Sequence, residues 1–138
     1  HSQFLLHFHR YPFLSEYVHF QVFLSSAYQN QVICTLVREC PNLSVAAYWW
    51  HNFFPSIIQQ VIAERLDMVP VNKQVGFYSD AYCLDWMFAK ATMVRKQLAQ
   101  VFAGKVLQGQ YTVDDALHIA RQIVFETPQT LLGMKPME

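Results

Sequence analysis

Three times in its 138 residues the chain passes from a short run with strand patterning into a longer run with helical spacing. That rhythm limits the fold more than any other feature. Residues 18–24, VHFQVFL, alternate Val18, Phe20, Val22 and Leu24 at period two, as a strand does. Residues 27–40 then set Val32, Ile33, Leu36 and Val37 at helical spacing, and Pro41 bars continuation. A second strand, 42–50, is small and apolar on both faces. Pro55 suits a first helical position and opens a helix to Met68, with Ile57, Ile58, Val61, Ile62 and Leu66 inward; Pro70 ends it. The third strand, 74–80, leads into a long helix over 82–107. Its apolar stripe is Leu84, Met87, Ala91, Val94, Leu98 and Val101, and Gly109 is its stop. Thr112 with Asp115 three residues on is a capping signature. It starts a last helix running through Leu117, Ala120 and Val124 to Thr127-Pro128, with a further helical turn at 129–132. The opening residues 2–12 read as the end of a helix feeding the first strand.

Strands joined by helices pair in parallel through right-handed crossovers, and a parallel sheet is covered on both faces. Three strands are few for such a sheet. The pattern therefore predicts an α/β chain that is one partial domain, 1–138, of a larger architecture, with a (β/α)8 barrel foremost. Charge placement agrees. Charged residues make up 14% of the chain, against about 25% in ordinary domains. Only Arg10, Glu16, Arg38 and Glu39 fall within residues 1–60. Part of this surface is expected to be buried, against the rest of a barrel or another copy of the chain.

The zero net charge excludes a basic nucleic-acid footprint. The longest strictly apolar run, Val45 to Trp50, is far short of the roughly 20 residues of a spanning helix, so no membrane partner is expected. The first residues lack the features of a signal peptide. Three cysteines, Cys34, Cys40 and Cys83, form no CxxC, which fits a reducing, cytoplasmic compartment. Cys34 reads as a buried thiol.

In parallel α/β folds the chemistry gathers at the C-terminal ends of the strands. Three clusters fall there: Ser25-Ser26-Ala27-Tyr28, Trp49-Trp50-His51-Asn52, and Ser79-Asp80-Ala81-Tyr82. Asp80 ends an otherwise uncharged strand and could hold a metal or act as a base; equally, Asp is a preferred helix N-cap. His51 and Asn52 could bind a polar substrate between tryptophan walls, or be loop residues beside core aromatics. His7 and His9 would share a metal only on a strand; on a helix they diverge by about 200°. His19 and His118 read as structural. There is no GxGxxG, P-loop, GxSxG or HExxH.

The run from Tyr17 to Met134 resembles the C-terminal portion of the metal-dependent amidohydrolase superfamily, and within it the uronate isomerase branch. Carrying the resemblance are Phe23-Leu24-Ser25-Ser26-Ala27-Tyr28-Gln29-Asn30 after a sixth strand, Pro41-Asn42 and the pair Trp49-Trp50 around a seventh, and Ser79-Asp80 ending an eighth. The long helix and the final helix close the chain as in that family. The resemblance implies strands six to eight of a TIM-type (β/α)8 barrel with their helices. It implies a divalent metal, zinc foremost, with Asp80 as metal ligand and proton-transfer carboxylate. It also implies a sugar-acid substrate, lined by Trp49, Trp50, His51 and Asn52, with Tyr28 and Tyr82 at the neighbouring strand ends. The reaction implied is aldose–ketose isomerisation, with metal-dependent hydrolysis and a non-catalytic assembly role as alternatives. The branch carries an Arg shortly after the eighth-strand Asp, where Ala81, Tyr82 and Cys83 stand here. Its first-strand HxH metal pair and earlier strands have no counterpart in these residues, so the isolated piece is expected to be inactive.

Overall fold

The computed structural model describes residues 18–48 and 54–134. Strands β1 (Phe20–Val22), β2 (Leu43–Ala46) and β3 (Gln74–Val75) form one parallel sheet in the order β1-β2-β3. Phe20 pairs with Leu43 and Val45 with Gln74. Helix α1 (Asn30–Glu39) links β1 to β2, and α2 (Pro55–Met68) links β2 to β3. After β3 come α3 (Leu84–Leu107) and α4 (Val113–Arg121), then a π-helical segment, Gln122–Glu126, and α5 (Thr127–Leu131). The expected parallel strand-and-helix alternation is present. The proposed helix in residues 2–12, with His7 and His9, lies outside the described residues.

Helix starts follow the local chemistry. Pro55 sits in the first turn of α2, where its missing N–H costs nothing. Thr112 and Asp115 form a complete capping box on α4, with the Thr112 hydroxyl accepting from the Asp115 amide at 3.1 Å. Period-two alternation sends Phe20, Val22, Leu43 and Val45 to one face of the sheet, against Ile33, Cys34 and Val37 of α1. A second cluster joins Ile58, Val61 and Ile62 of α2 to Val94, Leu98 and Phe102 of α3, with Ala116 and Ile123. Cys34 is fully buried, as expected, and burial pushes its thiol pKa up.

The strands are shorter than their sequence patterns. Ala47 has a φ of 49°, so β2 ends there rather than at residue 50. β3 stops at Val75 because the next amide, Gly76, donates to the carbonyl of Ile123 at 2.9 Å. That carbonyl is free because of Pro128. In the π segment the Thr127 amide bonds to Gln122, so Ile123 would look five residues on for its donor and finds a proline with no N–H. Gly76 supplies the missing hydrogen bond. A Cβ at position 76 would collide with Ile123 Cγ2, so only glycine permits the approach.

Pro128 therefore does not end the last helix, as its sequence suggests. The wider π turn absorbs it, and helix continues through Leu131. The buried residues of this stretch are Ala116 and Ile123; Leu117 and Val124, through which the sequence pattern runs the helix, are exposed, and Ala120 is half-buried. On α3 the expected stripe holds at Val94 and Leu98 but fails at its start, where Leu84 is 75% and Met87 43% exposed. Ala91 and Val101 are half-buried. The inward face includes polar residues instead: Gln97 accepts from Gln59 at 2.6 Å, and Lys105 pairs with Asp67 at 2.6 Å. A polar seam to α2 is invisible to a search for apolar periodicity.

Candidate functional site

The C-terminal edge of a parallel sheet is where strand carbonyls and following loops point outward together. Tyr28 stands there in a 3-10 turn after β1, 98% exposed. Asp80 and Tyr82 lie in the turn after β3, both exposed. The Tyr82 ring meets Trp86 edge-on with centroids 6.3 Å apart. Trp49, Trp50, His51 and Asn52, which follow β2, lie outside the described residues. Asp80 does not cap the next helix. The N-cap of α3 is Cys83, without a side-chain capping bond, and Asp80 itself has a φ of 42°.

Ala47 and Asp80 are the two non-glycine residues with positive φ among those described; Ala47 directly follows β2, and Asp80 lies in the turn after β3. Left-handed backbone costs an L-residue roughly 1–2 kcal/mol, although Asp tolerates it better than most. Each turn is gripped by a buried cation. Arg65 of α2, 2% exposed, donates through Nη1 to the Ala47 carbonyl at 2.7 Å and through Nε to Asn30 Oδ1 at 2.9 Å. Its guanidinium lies 5.2 Å from the centre of the Tyr48 ring. Asn30 passes the contact on, donating to Glu64 Oε2 at 2.7 Å. Asn30, Gln60 and Gln31 all donate to Glu64, which holds its carboxyl below the usual range even though burial opposes this. Burial at the same place drives the Tyr48 phenol up to about 12. Lys90 of α3, 5% exposed, donates to the carbonyls of Ser79 at 2.8 Å and Asp80 at 3.2 Å.

Across the sheet, Tyr78 donates to Gln21 Oε1 at 3.0 Å, and its ring lies 5.3 Å from that of Phe23. His19 is structural, as read from its position: Nε2 lies 2.9 Å from Ser44 Oγ. Arg65, Lys90, Asn30 and Tyr78 were missed by sequence reasoning. The one available signal was a cation set among inward helical positions, Arg65 beside Ile62 and Leu66, and Lys90 four before Val94.

Among the described residues no group of three or more His, Cys, Asp or Glu could hold a metal ion. Asp80 offers a single carboxylate, so these residues do not by themselves fit a complete metal centre. No described helix is long and apolar enough to cross a membrane. A groove of about 610 Å³ lies away from the strand ends, between α3 and α4, lined by Leu98, Phe102, Val106, Val113 and Leu117 with Arg95 and Arg121 at its rim.

No protein-family model matches the chain. A uronate isomerase of Thermotoga sp. (strain RQ2) is 24% identical over 99 residues, 72% of this chain and 22% of the relative. Those of Thermotoga maritima and Thermotoga neapolitana match over the same shares at 24% and 23% identity. The crystal structure of uronate isomerase from Thermotoga maritima superposes with a TM-score of 0.81 at 20% identity, covering 89% of this chain and 27% of that one. The chain is a distant homologue of uronate isomerase. It spans about a quarter of the length of the relatives it matches. The expected resemblance to that branch of the amidohydrolase superfamily thus holds, for a portion of the fold.

Proposed function

We propose that this chain supplies strands six to eight, with their helices, of a (β/α)8 barrel of uronate isomerase type. In the complete barrel it would take part in aldose–ketose isomerisation of a sugar acid. The observation that carries the reading is the superposition of 89% of the chain on a uronate isomerase. In support, Asp80, Tyr28 and Tyr82 all lie along the sheet edge where such barrels do their chemistry.

The isomerisation moves a proton between neighbouring carbons of the sugar, so it needs a carboxylate able to accept a proton and return it. Asp80 is the residue assigned to that role or to ligating the family's divalent metal, taken to be zinc. Trp49, Trp50, His51 and Asn52 are assigned to the substrate wall, as are Tyr28 and Tyr82. A uronate also needs a cation for its own carboxylate. Residues 81–83 supply none, and Lys90 is committed to two backbone carbonyls. That cation is assigned to the remainder of the barrel.

The test is complementation. The 138-residue chain is mixed with the part of the Thermotoga maritima uronate isomerase that lacks the matched segment, and glucuronate isomerisation is assayed with added zinc. Turnover that appears only in the mixture and is lost with Asp80→Asn supports the reading. A tight but inert complex counts against it.

A further inference from the structure

We propose that Arg65 and Lys90 are positioning residues, buried cations that reach back from the helix after a strand and fix the turn carrying that strand's site residues. The same arrangement occurs twice. β2 ends at left-handed Ala47, whose carbonyl is taken by Arg65 of the following helix α2. β3 leads to left-handed Asp80, whose carbonyl and that of Ser79 are taken by Lys90 of the following helix α3. The third strand end provides the control. After β1, Ser26 is in ordinary extended conformation, with φ −140°, and no described cation reaches that turn.

The pairing has a physical cause. Ala47 still gives its amide to Val75 at 2.6 Å, but a left-handed residue turns the chain out of the ladder, and the carbonyl loses its strand partner. A buried carbonyl needs a donor, and a charge-assisted hydrogen bond is the strongest available. Core filling does not explain Arg65. Its Nη2 is buried without a hydrogen-bond partner among the described residues, a cost that an apolar side chain of similar volume would avoid. The guanidinium is kept for the direction of its other bonds. Nε on Asn30, the first residue of α1, and Nη1 on Ala47 tie the end of β2 to the helix after β1. Lys90 does for Asp80 what Arg65 does for the chain leading to Trp49. The functional side of this inference rests on the proposed site; the mechanical side does not.

The test therefore reads the turns rather than turnover. In the 138-residue chain, Arg65→Met is expected to raise the unfolding constant about a hundredfold in urea, through the donors lost by Asn30 and Ala47. Combined with Ala47→Gly, which relaxes the left-handed residue, the same substitution should cost about tenfold less. By carbonyl ¹³C NMR, Arg65→Met should move the Ala47 resonance and Lys90→Met those of Ser79 and Asp80. Arg65→Lys and Lys90→Arg should keep them near their native positions, which also covers the case in which Arg65→Met does not fold. The inference is overturned if the methionine variants leave those resonances in place, or if Ala47→Gly does not change the cost of losing Arg65. An inert complemented barrel would refute the isomerase reading and leave these results untouched.

Discussion

β2 and β1 lie side by side in one sheet, yet they are built for different surroundings. All four residues of β2 are buried, with a strand on each side and helices over one face. The three residues of β1 are all half-exposed, and β1 has one neighbour among the described residues. α3 shows the same split along its own length. Val94, Leu98 and Phe102 are packed against α2 and α4, whereas Leu84, Trp86, Met87 and Phe88 of its first turns lie exposed beside Tyr82. Apolar groups gathered on a surface mark an interface. Among the described residues the centre of the sheet is packed on both sides, and in the proposed barrel the more exposed β1 edge and start of α3 would meet its remaining part.

Paired substitutions sharpen this contrast. The largest difference is expected on α3: Leu98→Ala should cost about 3 kcal/mol of unfolding free energy, and Leu84→Ala no more than about 0.5. Equal costs in urea titrations would mean that the first turns of α3 are packed after all. Within the sheet, Val45→Ala should cost about 2 kcal/mol and Val22→Ala roughly half as much. Gly76→Ala should cost about 2 kcal/mol by forcing Ile123 away, and a thermal melt unchanged by it would break the account of how β3 ends.

The smallest effect concerns the contact between the two strands. Burial, and secondarily the charge of Lys73, hold the His19 imidazole below its ordinary 6.5. A depressed pKa means the unfolded chain binds the proton first. The stability is then present above pH 6.5 and falls as pH drops through the folded value. His19→Gln should flatten that slope, measured as the urea midpoint between pH 7 and pH 5. An unchanged slope would show that the imidazole titrates freely.

Much of this could be read from residues alone because the strongest signals were punctuation. Pro41, Pro55, Pro70 and the Thr112–Asp115 box set helix ends to within a residue or two. The ends of the strands were less legible, since they depend on contacts distant in sequence: Gly76 with Ile123, Ala47 with Arg65. Pro128 misled for the same reason. Its effect is decided by a π turn and by a donor 52 positions earlier, neither visible in the local pattern. The site showed a similar division. Asp80 stood out as the charge at the end of an uncharged strand, whereas Lys90 and Arg65 looked like interruptions of apolar stripes. The low charge of residues 1–60 raised the expectation of a covered surface there, and β1, within that stretch, is half-exposed. The exposed cluster at 82–88 lies outside that stretch.

Amide hydrogen exchange at the β1 edge tests the central claim most directly. Phe20 donates to Asn42 on the β2 side, so the alternation of a parallel ladder turns the Gln21 amide the other way. In the chain alone, Gln21 should exchange nearly as fast as an unfolded peptide, while Ala47, bonded to Val75 in the finished part of the sheet, is slow. Adding the complementary portion of a uronate isomerase barrel should slow Gln21 by at least about a hundredfold and leave Ala47 where it was. A Gln21 amide already protected in the chain alone, or one unmoved by the added portion, would contradict the account.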